Sequence, residues 1–558
     1  MQGNAPMSQP SSGAAPTINA ARFLVEYLER CGVDRAYCVP GESYLPVLDA
    51  VLDSKIDLVT CYHESSAGFM AVADGRLTGR PGICLVSRGP GATNAAIALH
   101  TAEQDGVPLI MFVGQVPSRQ LRRESFQEID YGAMYGRVCK WVVEVSDAAR
   151  LPEALARAMH MATDATPGPV VVVLPEDMLE HEIAVPADRP NVRALTAPAP
   201  EAVRQAAALL GAAARPLILA GGALATDRGR AALRRVAEAL DAPVMVSFRR
   251  HDLMSNGHRL FGGDIGLYNT EAQMRDLADA DVILAVGTRL GDIATNGYTF
   301  PASPWPGQPL IHVYDDARVI GTNHQPTVAA VCPPELFLEA LLDHLAATTP
   351  HGAWVETVKG HQRQGAAYTP RTANDGVVFG NVVQALHPRM PKDALVVTDA
   401  GMCAALMYRY FPYEPPQRLL ATVTGCMGFG VPGAIAFSLR SGGRRVVALL
   451  GDGGFLMTSN ELAIAVDRKL PIVFLLANNR ALGSIRAYQE RIFPGRKSAT
   501  DLSPPDFGLL AQAHGCAAIK VETEAEVGDA LDRAFAHRDG PILVEFRTSL
   551  AAALPGSA

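Results

Sequence analysis

Residues 446–479 read VVALLGDGGFLMTSNELAIAVDRKLPIVFLLANN, and the fold is decided there. Val446–Leu450 is a short, wholly apolar run rich in β-branched residues, the pattern of a strand buried on both faces. It stops at Gly451-Asp452-Gly453-Gly454, too glycine-rich to continue a strand. Thr458–Asp467 reads as helix, with Thr458 as N-cap and Glu461 three residues later completing a capping box. Pro471 ends it, and Ile472–Ala477 is a second apolar strand running into Asn478-Asn479. Strand–helix–strand units are right-handed with parallel strands, so both strands finish at one edge of one sheet. Asp452 and Asn479 each lie two residues past a strand end, at the carboxyl edge where open α/β sheets bind ligands. Hard oxygens of this kind suit magnesium, which fills its octahedron with water and phosphate oxygens. The N–H groups of Gly453 and Gly454 would hold those phosphates. Taken alone, Gly-Asp-Gly is an ordinary acidic turn. The Asn-Asn pair beyond one helix and one strand is what turns it into a ligand site.

The same alternation runs outward along the chain. Strands are expected at Ala36–Val39, Leu58–Tyr62, Ile83–Ser87, Pro108–Val113 and Pro169–Leu174, with helices between, one of them over Ser65–Leu77. A second set lies at Pro216–Ala220, Pro243–Phe248, Val282–Val286 and Leu310–Tyr314. The third comprises Leu395–Thr398, Val446–Leu450, Ile472–Ala477 and Ile542–Phe546. Alternation of this kind implies an α/β protein of three doubly wound domains with mainly parallel sheets. The expected division is a tail over 1–16, a first domain over 17–185, a Pro/Ala-rich linker over 186–200 and a middle domain over 201–346. A polar linker over 347–372, a third domain over 373–548 and a small apolar tail over 549–558 complete it. Arg249–Asn269 reads as one long irregular loop, and such loops are usually functional. The first and third domains have the spacing of two copies of one topology.

Composition narrows the function. With 48% hydrophobic and 19% charged residues, the 558-residue chain is an ordinary globular enzyme by content. A formal net charge of −8 argues against nucleic acid or an anionic membrane as main partner. Nine cysteines without a CxxC read as reduced, buried thiols, and no apolar run is long enough to span a bilayer. A cytoplasmic location is expected.

Further stretches add to the metal motif: His63-Glu64, Gly89-Pro90-Gly91-Ala92-Thr93-Asn94, Gly114-Gln115-Val116-Pro117, Phe126-Gln127-Glu128 and Met427-Gly428-Phe429-Gly430. With these the chain resembles thiamine-diphosphate enzymes, specifically the large subunit of acetolactate synthase (acetohydroxyacid synthase), over nearly its whole length. The resemblance implies pyrimidine-binding, middle and diphosphate-binding domains, in that order. It implies that Asp452, Asn479 and the Ala481 carbonyl hold Mg2+, and that Glu64 hydrogen-bonds a ring nitrogen of the aminopyrimidine. That contact favours the imino tautomer, whose nitrogen takes the proton from the thiazolium carbon; the ylid and then an enamine carry the chemistry. Read from its own surroundings, Glu64 is first a cap for the helix after it, and Met427 first a core residue; the resemblance is what gives each a role at the cofactor. By resemblance Met427 is the wedge that bends the cofactor, with Gly425 and Met427 backbone groups on the pyrimidine edge. Pro40, Gly41, Asn94, Gln115, Gly401, Gly453, Gly454, Gly483, Ser484 and Ile485 complete the implied cofactor set, and Gln127 joins Glu64 in catalysis. The family places the glutamate and the metal motif on different subunits, so at least a homodimer, with homotetramer as the next step, is implied.

Departures from the family pattern concern substrate. Biosynthetic members carry Trp at Tyr488, Lys at Glu176 in Leu174-Pro175-Glu176-Asp177, and Asp-Asp-Arg at Gly291-Asp292-Ile293. They carry Gly-Gln-His at Gly401-Met402-Cys403, and Gly-Ala at Glu42-Ser43. Two cations that would recognise an anionic keto acid are thereby lost. Glu42, on a loop expected near the thiazolium, is either an acid/base group or a solvated turn residue. FAD has a place in the middle domain (Gly221, Gly222, Arg289), though nothing in the sequence demands it. The leading expectation is a carboligase acting on pyruvate or a related 2-oxo acid. A decarboxylase or carbon–carbon lyase, favoured by Glu42, is the rival enzyme, and a non-catalytic cofactor-binding protein the reading from another class.

Overall fold

The computed structural model describes residues 17–185, 194–345 and 350–552; the expected tail over 1–16 lies outside them. Three six-stranded sheets result, each parallel throughout. Across the first sheet the strands run Asp57–Thr60, Arg35–Cys38, Gly82–Val86, Leu109–Gln115, Pro169–Pro175 and Trp141–Glu144. Across the third they run Arg418–Leu420, Leu395–Thr398, Val446–Gly451, Ile472–Asn478, Ile542–Arg547 and Ala517–Val521. Both orders are second, first, third, fourth, sixth, fifth, so the outer domains do share one topology. The middle sheet is ordered third, second, first, fourth, fifth, sixth. A short antiparallel pair, Thr17–Asn19 with Glu182–Ala184, closes the first domain.

The central strands are buried on both faces because helices cover both, and these are the ones the apolar runs marked. The strands that sequence left out sit at sheet edges: Trp141–Glu144, Phe261–Ile265, Val328–Val331, Arg418–Leu420 and Ala517–Val521. Each is short or half exposed, and of the five only Val328–Val331 (VAAV, alternately buried and exposed) is apolar throughout. Two of the corrections are larger. The expected irregular loop over Arg249–Asn269 contains the edge strand Phe261–Ile265, and the expected linker over 347–372 contains the helix Gly352–Ala366. That helix looks polar because only one face is covered: Trp354 is buried, and its Nε1 donates to the Pro216 carbonyl at 2.9 Å. In the C-terminal tail, the Ser549 N–H donates to the Val377 carbonyl at 2.8 Å, so the chain is tied down there.

The helix after Gly451 begins earlier than expected, at Asp452. Thr458 ends its first segment rather than capping a start, and its hydroxyl donates to the Gly428 carbonyl at 2.9 Å. Glu461 forms no capping box. It reaches into the first domain instead, accepting the N–H groups of Tyr62 at 3.2 Å and His63 at 3.1 Å. The outer domains meet along this line in one continuous core. Helices Glu64–Thr78 and Pro90–Asp105 approach closely, since a Cβ on Gly68 would lie 2.4 Å from that of Ala98. Against them packs Gly430–Arg440, with the Phe69 and Phe429 rings edge to face at 5.7 Å. At its end Arg440 pairs with both Asp34 and Asp74. No helix among the described residues is long and apolar enough to cross a membrane, and all nine cysteines are free.

Burial pushes the Glu461 carboxyl up to about 7. Its protonated form therefore stabilises the fold at low pH, and that contribution is lost as pH rises through about 7. Glu461→Gln keeps an acceptor oxygen but cannot titrate. Between pH 4.5 and about 7, wild-type stability should fall relative to the variant by roughly 1–2 kcal/mol, read from urea unfolding at each pH.

Candidate functional site: two sheet edges

Parallel register sets Gly451 beside Ala477, so the chain leaves both strands at the same level. The Asp452 carboxylate accepts the Arg480 N–H at 2.7 Å and the Gly453 N–H at 2.8 Å. The second contact engages a donor that the sequence had assigned to phosphate. Asn479 folds its side-chain oxygen onto the Ala481 N–H at 3.1 Å. Asp452 is 3% exposed and has no ion pair among the described residues, so burial alone pushes its carboxyl upward. A buried carboxylate of this kind gains from a bound cation. No cluster of three or more His, Cys, Asp and Glu exists among the described residues. The donors on offer are a carboxylate, an amide oxygen and the Ala481 carbonyl, an all-oxygen set that fits Mg2+ better than zinc. Gly483 is required beneath them: a Cβ there would lie 2.2 Å from Met402 Cε and 2.7 Å from Asn479 Nδ2.

The loop opposite is shaped by glycines. Gly425 and Gly428 adopt left-handed φ values of +68° and +86° on either side of Met427, which is half-buried. Met427 Cε lies 3.2 Å from where a Cβ on Gly453 would stand. Asp399 holds the loop: buried, it receives the Gly428 N–H on both oxygens at 3.1 Å and the Ala400 N–H at 2.7 Å. Burial pushes its carboxyl up to about 6. Gly454 makes room for it, since a Cβ there would meet Asp399 Oδ2 at 2.7 Å. Sequence reasoning missed Asp399, although it stands just past the Leu395–Thr398 strand as Asp452 stands past its own. Between this loop and the helix Gly483–Ile492 lies a cavity of roughly 320 Å³, lined by Gly401, Gly425, Ser484 and Tyr488 with Arg249 and Tyr268 of the middle domain. Arg491 stacks on the Tyr488 ring at 4.8 Å. Ile485, half exposed on the same helix, is outside the lining. Met402 and Cys403 are buried packing residues, and burial pushes the Cys403 thiol up to about 12.

The second edge belongs to the first domain. Glu64 is the first residue of its helix, but His63 is the cap, its Nδ1 accepting the Ser65 N–H at 3.1 Å. That leaves Glu64 for other work. Its carboxylate accepts the Asn94 side-chain amide at 2.9 Å and lies 3.4 Å from the Cβ position of Gly91. Gln127, at φ +64°, backs onto Gly89, whose Cβ position is 2.7 Å from the Gln127 carbonyl. Gln115 turns inward: its amide donates to the Ile129 carbonyl at 3.1 Å and accepts the Val116 N–H at 3.0 Å. Gly41 follows Pro40 in a turn pressed on Ser87, 2.6 Å from a Cβ there. In the middle domain, a Cβ on Gly221 would meet the Gly287 carbonyl at 2.2 Å, and one on Gly222 the Arg250 Nε at 2.6 Å. Arg289 donates to the carbonyls of Glu103 and Gln104.

The two edges are not joined within one chain: the cavity is walled by the middle and third domains, and Glu64 is not on it. Around the Glu64 edge the rings of Tyr62 and Phe126 stand 64% and 77% exposed.

Comparison with known proteins places the chain among characterised sequences. Residues 18–134 match the N-terminal TPP binding domain of thiamine pyrophosphate enzymes, 203–341 the central domain, and 399–546 the C-terminal TPP binding domain. An acetolactate synthase of Mycobacterium bovis is 31% identical over 96% of this chain and 88% of its own length. The acetolactate synthase isozyme 1 large subunit of Escherichia coli K12 is 30% identical over 96% of each, and the acetolactate synthase large subunit of Corynebacterium glutamicum 30% identical over 97% and 88%.

Gly483→Ala forces Met402 and Asn479 apart. It should weaken the combined binding of Mg2+ and a diphosphate ligand by about tenfold or more in a calorimetric titration, the usual effect of disturbing a residue that orients a metal ligand.

Proposed function

The chain belongs to the thiamine pyrophosphate enzymes of the acetolactate synthase family, and from that premise we propose that it is a thiamine-diphosphate-dependent carboligase acting on pyruvate or a related 2-oxo acid. What supports the reading most is the 2.7 Å contact of Asp452 with the Asn479–Ala481 turn, in a chain similar to such enzymes over nearly its full length. When bound, the cofactor supplies a nucleophilic thiazolium carbon and an electron sink for the bond that breaks. The chain's own groups do the rest. Asp452, Asn479 and the Ala481 carbonyl would hold Mg2+, and Met427 between its left-handed glycines would fix the cofactor's bend. Asp399 keeps that loop in place. Glu64, steadied by Asn94, would hold a proton at the ring nitrogen it faces. Tyr488, Tyr268 and Arg249 would shape the substrate end of the cavity.

Glu64 lies outside the cavity of its own chain, so the working unit is proposed to be at least a homodimer in which it serves the cofactor of a partner. The exposed Tyr62 and Phe126 rings at that edge suit burial in such a contact. No flavin is assigned: Gly222 and Arg289 line a separate pocket of the middle domain with Thr288 and Asp292, and Arg289 also donates to the Glu103 and Gln104 carbonyls. A cytoplasmic location suits the free cysteines.

Glu42 favours a second reading, in which the carbanion equivalent is protonated rather than transferred, because its carboxylate is exposed at the Glu64 edge. Product analysis with pyruvate separates them, acetolactate or an acyloin supporting carboligation and acetaldehyde alone the second. Glu64→Gln should lower kcat at least about 100-fold with cofactor still bound. Unchanged turnover in that variant would refute the catalytic assignment.

A further inference from the structure

In the first sheet the strand order reverses between Arg35–Cys38 and Gly82–Val86, the crevice where doubly wound sheets bind ligands. The turn leaving the first strand carries Glu42, and the turn leaving the second carries Arg88. The Arg88 side chain is only 10% exposed, with its NH2 group 2.5 Å from Glu42 Oε1 and its NH1 group 3.2 Å from Glu176 Oε2. Its Nε is buried without a partner among the described residues. Glu42 is 67% exposed and Glu176 35%, so the carboxylates face outward and the guanidinium inward. Beneath them the two turns are tied by Ser43 and Ser87, whose hydroxyls are 3.0 Å apart. The same second turn continues to Gly91, against which the Glu64 carboxylate rests.

Two consequences follow from the charges. Both terminal nitrogens of Arg88 already face carboxylates, so it does not replace the cation lost at Glu176 as a receptor for an anionic substrate. The three groups sum to one negative charge, and the exposed part of it is the Glu42 carboxylate. Held in place by Arg88, that charge meets an incoming ion from a fixed position, whereas a mobile surface carboxylate could swing away from it.

We propose that Arg88 is a positioning residue that fixes the Glu42 carboxylate in the crevice, with Glu176 as its second anchor, and that the fixed carboxylate selects an uncharged carbonyl compound over a second 2-oxo acid as acceptor. The proposal rests on the carboligase reading above, with Glu64 and Glu42 facing a partner's cofactor. Opposed like charges discriminate between partners by penalising the wrong one rather than by tightening the right one.

The test uses the holoenzyme with pyruvate as donor and propanal and 2-oxobutyrate as acceptors at equal concentration, with the product ratio read by chromatography. The acyloin from propanal should dominate in the wild type. Glu42→Gln should shift the ratio toward the 2-oxobutyrate product by about tenfold. Arg88→Gln, which frees the Glu42 carboxylate, should shift the same ratio part of the way toward the 2-oxobutyrate product without weakening cofactor binding, and Arg88→Lys should restore part of the wild-type ratio. A Glu42→Gln ratio within about twofold of wild type, or an Arg88→Gln enzyme equal to wild type, overturns the proposal. Cofactor titration keeps the two readings apart. Normal cofactor binding with an unmoved acceptor ratio overturns this proposal alone, whereas wild-type protein blind to the cofactor overturns both.

Discussion

The structure depends on two parallel strands being held in register to their last residue. Val446–Gly451 and Ile472–Asn478 run side by side with Gly451 opposite Ala477. The turn after one therefore delivers a carboxylate to backbone N–H groups of the turn after the other. A single-residue slip would exchange the faces of every side chain on the shifted strand and carry Asp452 away from Arg480. The apolar filling on both faces of the sheet prevents it, because each residue of both strands up to Leu450 and Asn478 is buried. Rigidity at the site is thus a by-product of core packing in the sheet beneath.

Around that point, buried carboxylates do structural work that positions chemistry. Asp399 ties the Met427 loop to the end of a neighbouring strand, and Glu461 ties the third domain to the residues before Glu64. Among the described residues neither has a direct ion pair; each is satisfied by backbone N–H groups, which lower the cost of burying it. Glu461 also fixes a geometric fact about the whole molecule. It holds the start of the Glu64 helix against its own third domain, and neither Glu461 nor Glu64 lines the cavity that the third domain forms with the middle one. That Glu64 is not among the residues lining that cavity in its own chain is the physical ground for proposing shared sites between chains.

Two of the charge changes that the sequence showed singly, at Glu42 and Glu176, turn out to be one arrangement. Glu42 and Glu176 lie 134 residues apart, yet both end on Arg88, because the turns that carry them leave strands of the same sheet edge. Arg88 drew no notice in the sequence, where an arginine before Gly-Pro-Gly has no periodic or capping signature.

Much of the fold was legible beforehand for a definite reason. Central parallel strands must be apolar on both faces, so their runs announce themselves, and Gly-rich turns after them mark the ligand edge. From these came the three domains, the Asp452–Asn479 pair and the Glu64 segment. Edge strands escaped because they are short or carry one covered face without a long apolar run, four residues in the case of Val328–Val331, and the Gly352–Ala366 helix escaped because only one of its faces is covered. The roles of Thr458, Glu461 and Gln115 were decided only by tertiary structure. A polar side chain's partner is whatever the fold brings near it, and for Glu461 that partner lies about 400 residues earlier, beyond the reach of any local pattern.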